Sequence, residues 1–213
     1  PDNNIPEDVT DLERDMLPLA SVSHWDVPIE VDGESVHILA SSAADASEGS
    51  NAMERNQDQV RFWEDYLDQD TEYITDHRGN RGPLAEDARF IIAGSLKADP
   101  NGNGPADPTA ISSLLESEAI TDPQPAHTLA SSDLDQSALP SESDARYHTA
   151  PDPSSSRNSY RADYVLPSSD MSVLNSGILE TGAENRNNYR GFFGMRSNDS
   201  ANHLVWTDTA IEN

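Results

Sequence analysis

The chain of 213 residues contains no cysteine, so disulfides, thiolate zinc sites and cysteine nucleophiles are excluded. It has no run of about 18 apolar residues, so no segment is predicted to span a membrane as a helix. Its only lysine is Lys97, and 13 basic residues stand against 39 acidic ones, a formal net charge of −26. A surface this acidic repels phosphate, so we expect no binding of bare nucleic acid by charge.

The carboxylate excess has two interpretations. One is a solvated acidic surface suited to salty water, and the other is a surface that recruits divalent cations. The near absence of lysine favours the first, which indicates a marine or halophilic source. No signal peptide is visible, and because the chain opens at Pro1 and not at Met, we expect it to be processed or trimmed.

The first half of the chain predicts strands that alternate with helices. Residues 1–20 are acidic and contain proline, which predicts an extended lead-in. Residues 35–41 alternate in polarity as a strand does. Residues 89–93 are nearly all apolar, which predicts a strand covered on both faces.

Two helices are predicted between and after these strands. Residues 51–68 place Val60, Trp63 and Leu67 on one apolar face, and Asn51 or Ser50 could cap the helix.

The second helix is predicted over residues 108–117. Asp107 would cap it and Pro108 would occupy its first position. Ile111, Leu114 and Leu115 would face inward.

The second half differs in composition. Residues 121–159 are rich in Ser, Asp, Pro and Ala, which predicts a long low-complexity loop that buries no core. Residues 162–168, 171–179 and 203–211 read as strands. Together these patterns predict an α+β domain. Large apolar residues are few for this length, so the chain is expected to need a partner to complete its core.

Five segments, taken in order, resemble one family: residues 23–41, 55–67, 88–100, 161–177 and 201–208. The family is the endonuclease/exonuclease/phosphatase (DNase I-like) superfamily, and the resemblance is strongest to its secreted bacterial branch. It covers most of residues 21–210 and implies an extracellular protein with a four-layer α/β/β/α sandwich. The family's first strands, which carry an Asn and a metal-binding Glu, have no counterpart here. The resemblance therefore implies that residues 21–213 are the C-terminal part of the fold, completed by a second polypeptide or by self-assembly.

The resemblance also identifies the positions of a phosphoesterase site. The family uses a divalent metal such as Mg²⁺ or Mn²⁺, a carboxylate that activates water and a histidine that contacts the phosphoryl group. Ser42 stands where the family often has His, Ser95 where it has the water-activating Asp, and Lys97 where it has an Asn that contacts phosphate. A serine hydroxyl is no base at neutral pH, and lysine does not reproduce amide geometry.

Three further family positions lie towards the C-terminus. Asn202 replaces an Asp that often contacts metal, whereas His203 and Asp163 are retained. The losses favour a catalytically degenerate domain that acts as a structural or binding protein. The alternative is an active metal-dependent phosphodiesterase or nuclease, with misaligned loops or a shifted mechanism, whose missing groups come from the other chain.

Residues 99–107 form a second candidate site. Asp99, Asn101, Asn103 and Asp107 occupy positions 1, 3, 5 and 9 of a calcium loop, but position 12 is Ala110 and not Glu. An Asx- and glycine-rich turn explains the same residues. Separately, Asn198 begins an N-glycosylation tripeptide.

We predict that the fold depends on salt. The Debye length grows from about 3 Å at 1 M to about 30 Å at 0.01 M, so removing salt strengthens repulsion among the carboxylates. The far-UV circular dichroism signal should therefore weaken as NaCl is dialysed away. An unchanged spectrum in fresh buffer would contradict the halophilic interpretation.

Overall fold

The computed structural model describes residues 23–49, 51–125, 147–153, 159–179 and 202–211. In chain order its elements are β1 (Trp25–Val31), β2 (Glu34–Ser42), α1 (Ala52–Leu67), β3 (Arg89–Ser95), α2 (Thr109–Glu116), β4 (Ala150–Pro151), β5 (Ser159–Tyr160), β6 (Asp163–Pro167), β7 (Met171–Leu179) and β8 (Leu204–Ile211). The α+β class is confirmed. Among these residues no helix is long and apolar enough to cross a bilayer.

The largest sheet has the strand order β1-β2-β3-β6. Strands β2 and β3 are parallel, and the two outer pairs are antiparallel. β4 pairs with β5, and β7 pairs with β8, in separate two-stranded sheets. The predicted strands at residues 162–168 and 171–179 are therefore present, but they belong to different sheets.

The strand β1 is an addition that the sequence analysis did not assign. It forms a hairpin with β2 through Asp32 and Gly33, whose φ angles are 53° and 88°. Two successive positive φ angles suit a tight hairpin turn, and Asp-Gly between alternating apolar residues is a strong signal for one. Pro28 lies within β1, which is an edge strand and therefore tolerates proline.

Both predicted helices pack on one face of this sheet. Val60 and Trp63 of α1 and Ile111 and Leu114 of α2 are at most 1% exposed. They join one core cluster with the sheet residues Leu39, Phe90, Ile92, Tyr164 and Leu166. The predicted inward faces are thus confirmed, with Leu67 and Leu115 only half-buried.

The start of α1 differs from the prediction, whereas the start of α2 agrees with it. Asn51 does occupy the position before α1, but it has a φ of 64° and its side chain makes no capping hydrogen bond. Asp107 accepts a hydrogen bond from the Thr109 backbone N–H at 2.8 Å, as a cap of α2 would.

The other face of the sheet is less covered than predicted. Phe90 and Ile92 are buried under the helices, but Ile91 and Ala93, which point the opposite way, are only half-buried. Strand pairing places their apolar neighbours on the same side, and we call this set the open face: Trp25, Val27, Ile29, Val31, Ile38, Ala40, Ile91, Ala93 and Val165. The residues that the structure describes therefore cover residues 89–93 fully on the helical face and only in part on the other, where the expectation was full cover. Two residues on this side are buried, Val36 at 2% exposed and Pro167, which is paired with Ile91.

Parts of the stretch at 121–159 pack closely where the structure describes them. Thr149 and Ala150 are buried, and Ala150 forms a small apolar cluster with Tyr160 and Ala162. Small residues carry this packing, which is why the search for large apolar residues missed it.

Trp63 should be the strongest single determinant of stability in the helical layer. Trp63→Ala removes a fully buried indole and its hydrogen bond from Nε1 to Ser41 Oγ at 3.0 Å. We expect the free energy of unfolding to fall by about 3–5 kcal/mol in urea denaturation. The control is Met53→Ala on the same helix, where the side chain is 43% exposed and the expected change is within about 0.5 kcal/mol. Equal losses in both variants would contradict this packing.

Candidate functional site

Three of the predicted site residues stand in a row across the ends of three strands. Ser42 of β2 is paired with Ser95 of β3, and Ser95 is paired with Asp163 of β6. Directly paired residues point to the same side of a sheet, so the three side chains lie on the side of the open face. The row thus brings together positions separated by more than a hundred residues in sequence.

Asn202 joins this row at Asp163. Its Nδ2 donates to both carboxylate oxygens of Asp163, at 3.2 and 3.4 Å. The next residue, His203, is fixed by its backbone N–H, which donates to the Thr149 carbonyl at 2.7 Å. The Thr149 hydroxyl in turn accepts from the backbone N–H groups of Ala162 and Asp163. The three C-terminal site residues are therefore brought together at one end of β6.

Ser95 occupies the centre of the row. Its Oγ is buried and has no hydrogen-bond partner among the described residues. The preceding Gly94 is required by close strand packing, because a Cβ there would lie 1.9 Å from the carbonyl oxygen of Ser41. Backbone packing therefore explains why position 94 is glycine, and no catalytic role is needed to account for it.

Lys97 lies beside a different group of residues. The backbone N–H groups of Leu96 and Lys97 both donate to the Ala162 carbonyl, and Lys97 has a φ of 52°. Its side chain lines a cleft of about 230 Å³ with Ser42, Ala43, Ala44, Asp45, Glu48, Ala52 and Arg55. The cleft carries two cationic and two carboxylate side chains, so it has no excess of positive charge to hold a phosphate. Ser42 connects it to the row.

Asp99 is a buried hub of hydrogen bonds. It is 1% exposed, and its Oδ1 accepts from the backbone N–H of Asn101 at 2.8 Å and from Asn103 Nδ2 at 3.4 Å. Its Oδ2 accepts from the Arg161 backbone N–H at 2.8 Å and lies 3.8 Å from His148 Nε2. The hydrogen bond from the Asn101 backbone N–H to Asp99 Oδ1 forms an Asx turn, which is the alternative interpretation to a calcium loop.

Asp107, the last residue of the proposed calcium set, is engaged elsewhere. The hydrogen bonds from Thr109 at the start of α2 lower the pKa of its carboxyl. Within the described ranges no group of three or more His, Asp or Glu side chains is arranged to hold a metal ion. Calcium at 99–107 stays a prediction. Asn198 lies outside the described residues.

A buried ion pair that the sequence analysis did not identify supports this region. Arg161 is 5% exposed and donates to both oxygens of Asp122, at 2.8 and 2.6 Å. Its guanidinium lies 4.3 Å from the ring centroid of Tyr164, whose hydroxyl donates to the Ala98 carbonyl. Burial lowers the pKa of Arg161, but the hydrogen bond to Asp122 and the charges of Tyr164, Asp122 and Asp99 together outweigh burial, and the pKa is raised. Asp122 lies in a stretch read as low-complexity, so the sequence offered no sign of its partner.

Comparison with known proteins supports the fold and not the chemistry. The crystal structure of an endonuclease/exonuclease/phosphatase from Beutenbergia cavernae is similar, with a TM-score of 0.50 and 15% sequence identity. The similarity covers 87% of this chain and 38% of the length of that protein. No protein-family model matches the sequence. No curated protein matches it either. The implied fold, part of a DNase I-like sandwich, is confirmed.

Calcium titration calorimetry separates the two interpretations of residues 99–107. Because both oxygens of Asp99 already accept protein hydrogen bonds, we expect no saturable heat from CaCl₂. Asp99→Ala should lower stability by about 1–3 kcal/mol, since buried donors lose their acceptor. Asn101→Ala is the matched control, because only its backbone N–H is used and its side chain is exposed. A saturable heat that disappears in both variants would instead establish a calcium loop.

Proposed function

We propose that this chain is a catalytically degenerate phosphoesterase-like domain. It acts as an extracellular structural or binding protein, docked to a second polypeptide or built into an assembly. The proposal rests on the identity and environment of Ser95, the residue at the centre of the row. Ser95 holds the place where the resemblance expects a carboxylate, and its buried hydroxyl has no partner among the described residues that could activate it.

Hydrolysis needs a group that accepts a proton from water and a group that binds the developing charge. The row Ser42–Ser95–Asp163 contains one carboxylate, and both oxygens of Asp163 already accept from Asn202. These contacts support a site in which the remaining polar groups stabilise one another.

A second candidate function is an active metal-dependent phosphodiesterase or nuclease completed by a separate N-terminal chain. The gathering of Asp163, Asn202 and His203 at one strand end favours it, because an unused site has no need to keep them together. In that case Mg²⁺ or Mn²⁺ and the missing Glu would be held with the partner's help. Ser95 would still leave the attacking water without its base.

A phosphodiesterase assay separates the two functions. The native material is purified, every chain is identified by intact mass, and hydrolysis of bis-p-nitrophenyl phosphate is measured with Mg²⁺, Mn²⁺ or Ca²⁺. We expect no turnover above buffer, and no difference between the unmodified chain and His203→Ala.

The contrary result is turnover that His203→Ala abolishes, which would make the enzyme the primary function. Met53→Ala, an exposed position of α1 that belongs neither to the row nor to the lining of the cleft, is the control for a contaminating hydrolase and for general loss of folding. Turnover that persists in both variants would point to a contaminant and leave the proposal standing.

A further inference from the structure

A cleft of about 230 Å³ meets the row at Ser42. Its lining comes from the loop after β2, the first turns of α1 and the residue Lys97 after β3. It contains two cationic side chains, Arg55 and Lys97, and two carboxylates, Asp45 and Glu48. Pockets for drug-sized molecules measure about 300–1,000 Å³, so a ligand of this cleft would be smaller, of the size of an amino acid.

The opposite charges in this cleft do not neutralise one another. Among the residues that the structure describes, the side chains of Arg55, Lys97 and Glu48 form no ion pair and no hydrogen bond. Arg61 and Arg89, by contrast, each pair with two carboxylates, as expected in a chain with 39 acidic and 13 basic residues. The cleft therefore holds separated charges of both signs, which are available to a ligand.

Buried amide side chains from α1 hold both walls of the cleft in place. Asn56 is 0% exposed, and its Nδ2 donates to the carbonyls of Ala44 and Leu96, both at 2.9 Å. Gln59 Oε1 accepts from the Ala44 backbone N–H at 2.6 Å. Lys97 has a φ of 52°, a conformation that residues with a side chain adopt only when their surroundings hold them in it. The charged groups thus project from a backbone that is ordered before binding, which lowers the entropic cost of binding.

We propose that this cleft binds a small zwitterion of the class of free α-amino acids. The ligand's carboxylate contacts the two cationic side chains, and its ammonium group contacts the two carboxylates. The cleft is separate from the row except at Ser42, so the proposal does not depend on whether the row hydrolyses phosphoesters.

Charge favours a zwitterion over a simple ion. An anion would meet Asp45 and Glu48 as well as the two cationic groups, and the net charge of −26 would oppose its approach. A cation would meet Arg55 and Lys97 in the same way. A zwitterion is complementary to both pairs of charges and carries no net charge for the field of the protein to repel.

Two-dimensional ¹H–¹⁵N NMR of the full chain tests the proposal with L-alanine as the probe. Two analogues serve as matched ligands: L-lactate lacks the ammonium group, and L-alaninamide lacks the carboxylate. We expect L-alanine to shift the backbone amide signals of residues 43–48 and 97 in a saturable manner. Neither analogue, nor inorganic phosphate, should shift them at the same concentrations.

Paired substitutions show whether the charges of the cleft are responsible. Arg55→Gln should weaken the binding of L-alanine by at least about tenfold, because a hydrogen bond to a charged group is lost. Arg61→Gln on the same helix causes the same change in net charge outside the cleft lining, and binding should be unchanged. Glu48→Gln and its exposed control Glu54→Gln form the corresponding acidic pair. Circular dichroism should be the same for all four variants.

Each other outcome overturns the proposal. L-lactate or phosphate that binds as tightly as L-alanine would establish an anion site, and L-alaninamide that does so would establish a cation site. Unchanged amide signals throughout the L-alanine titration would mean that the cleft takes no such ligand. Equal weakening by Arg55→Gln and Arg61→Gln would mean that binding follows the net charge of the chain and not the cleft. The phosphodiesterase assay is independent of all these results.

Discussion

Burial on one side of the four-stranded sheet constrains the rest of this structure. Val60 and Trp63 from α1, with Ile111 and Leu114 from α2, pack against β2, β3 and β6 and are at most 1% exposed. Large apolar side chains each contribute on the order of 1.5–3 kcal/mol when fully buried. The helical layer can therefore hold the sheet together even though the other face gains much less from burial.

The same constraint decides where polar groups stand. Ser42, Ser95 and Asp163 form their row on the less covered side of the sheet, whereas Ser41, on the packed helical face, is hydrogen-bonded to Trp63. A polar group at such a border is stable only if it is hydrogen-bonded or reaches water. Asp163 meets this requirement through Asn202, whereas Ser95 Oγ does not within the described residues.

Sequence periodicity predicted the helices well and the sheet face less well. Buried apolar residues such as Trp63 and Leu114 recur with the period of an α-helix, so the buried face of each helix can be predicted from neighbouring residues in the sequence. The run at 89–93 is apolar on both sides of the strand, but the sequence of one chain says nothing about what covers the second side. Strand β1 was missed although Asp32-Gly33 marks its turn, because Pro28 interrupts the expected strand composition.

The site was predictable in part. The resemblance placed Ser42, Ser95, Asp163 and Asn202 in one region, and their pairing across strands follows from the fold. The contacts of Asp99 with Arg161, and of Arg161 with Asp122, join residues far apart in sequence and carry no local signature. Long-range polar contacts of this kind depend on the tertiary fold, so the spacing that predicts a calcium loop at 99–107 gives no sign of them.

The network around Arg161 shows how the proposed loss of catalysis would be compatible with a stable fold. Active sites hold polar groups in arrangements that are complementary to a ligand and not to one another, which costs stability. Here Asp99 accepts from Arg161 and Asn101, and Asp122 binds the guanidinium of Arg161 through both oxygens. Breaking a buried pair leaves an unpaired charge, so once such contacts form they are costly to reverse. A carboxylate engaged in this way stabilises the loops next to the strand ends without the help of a bound ligand.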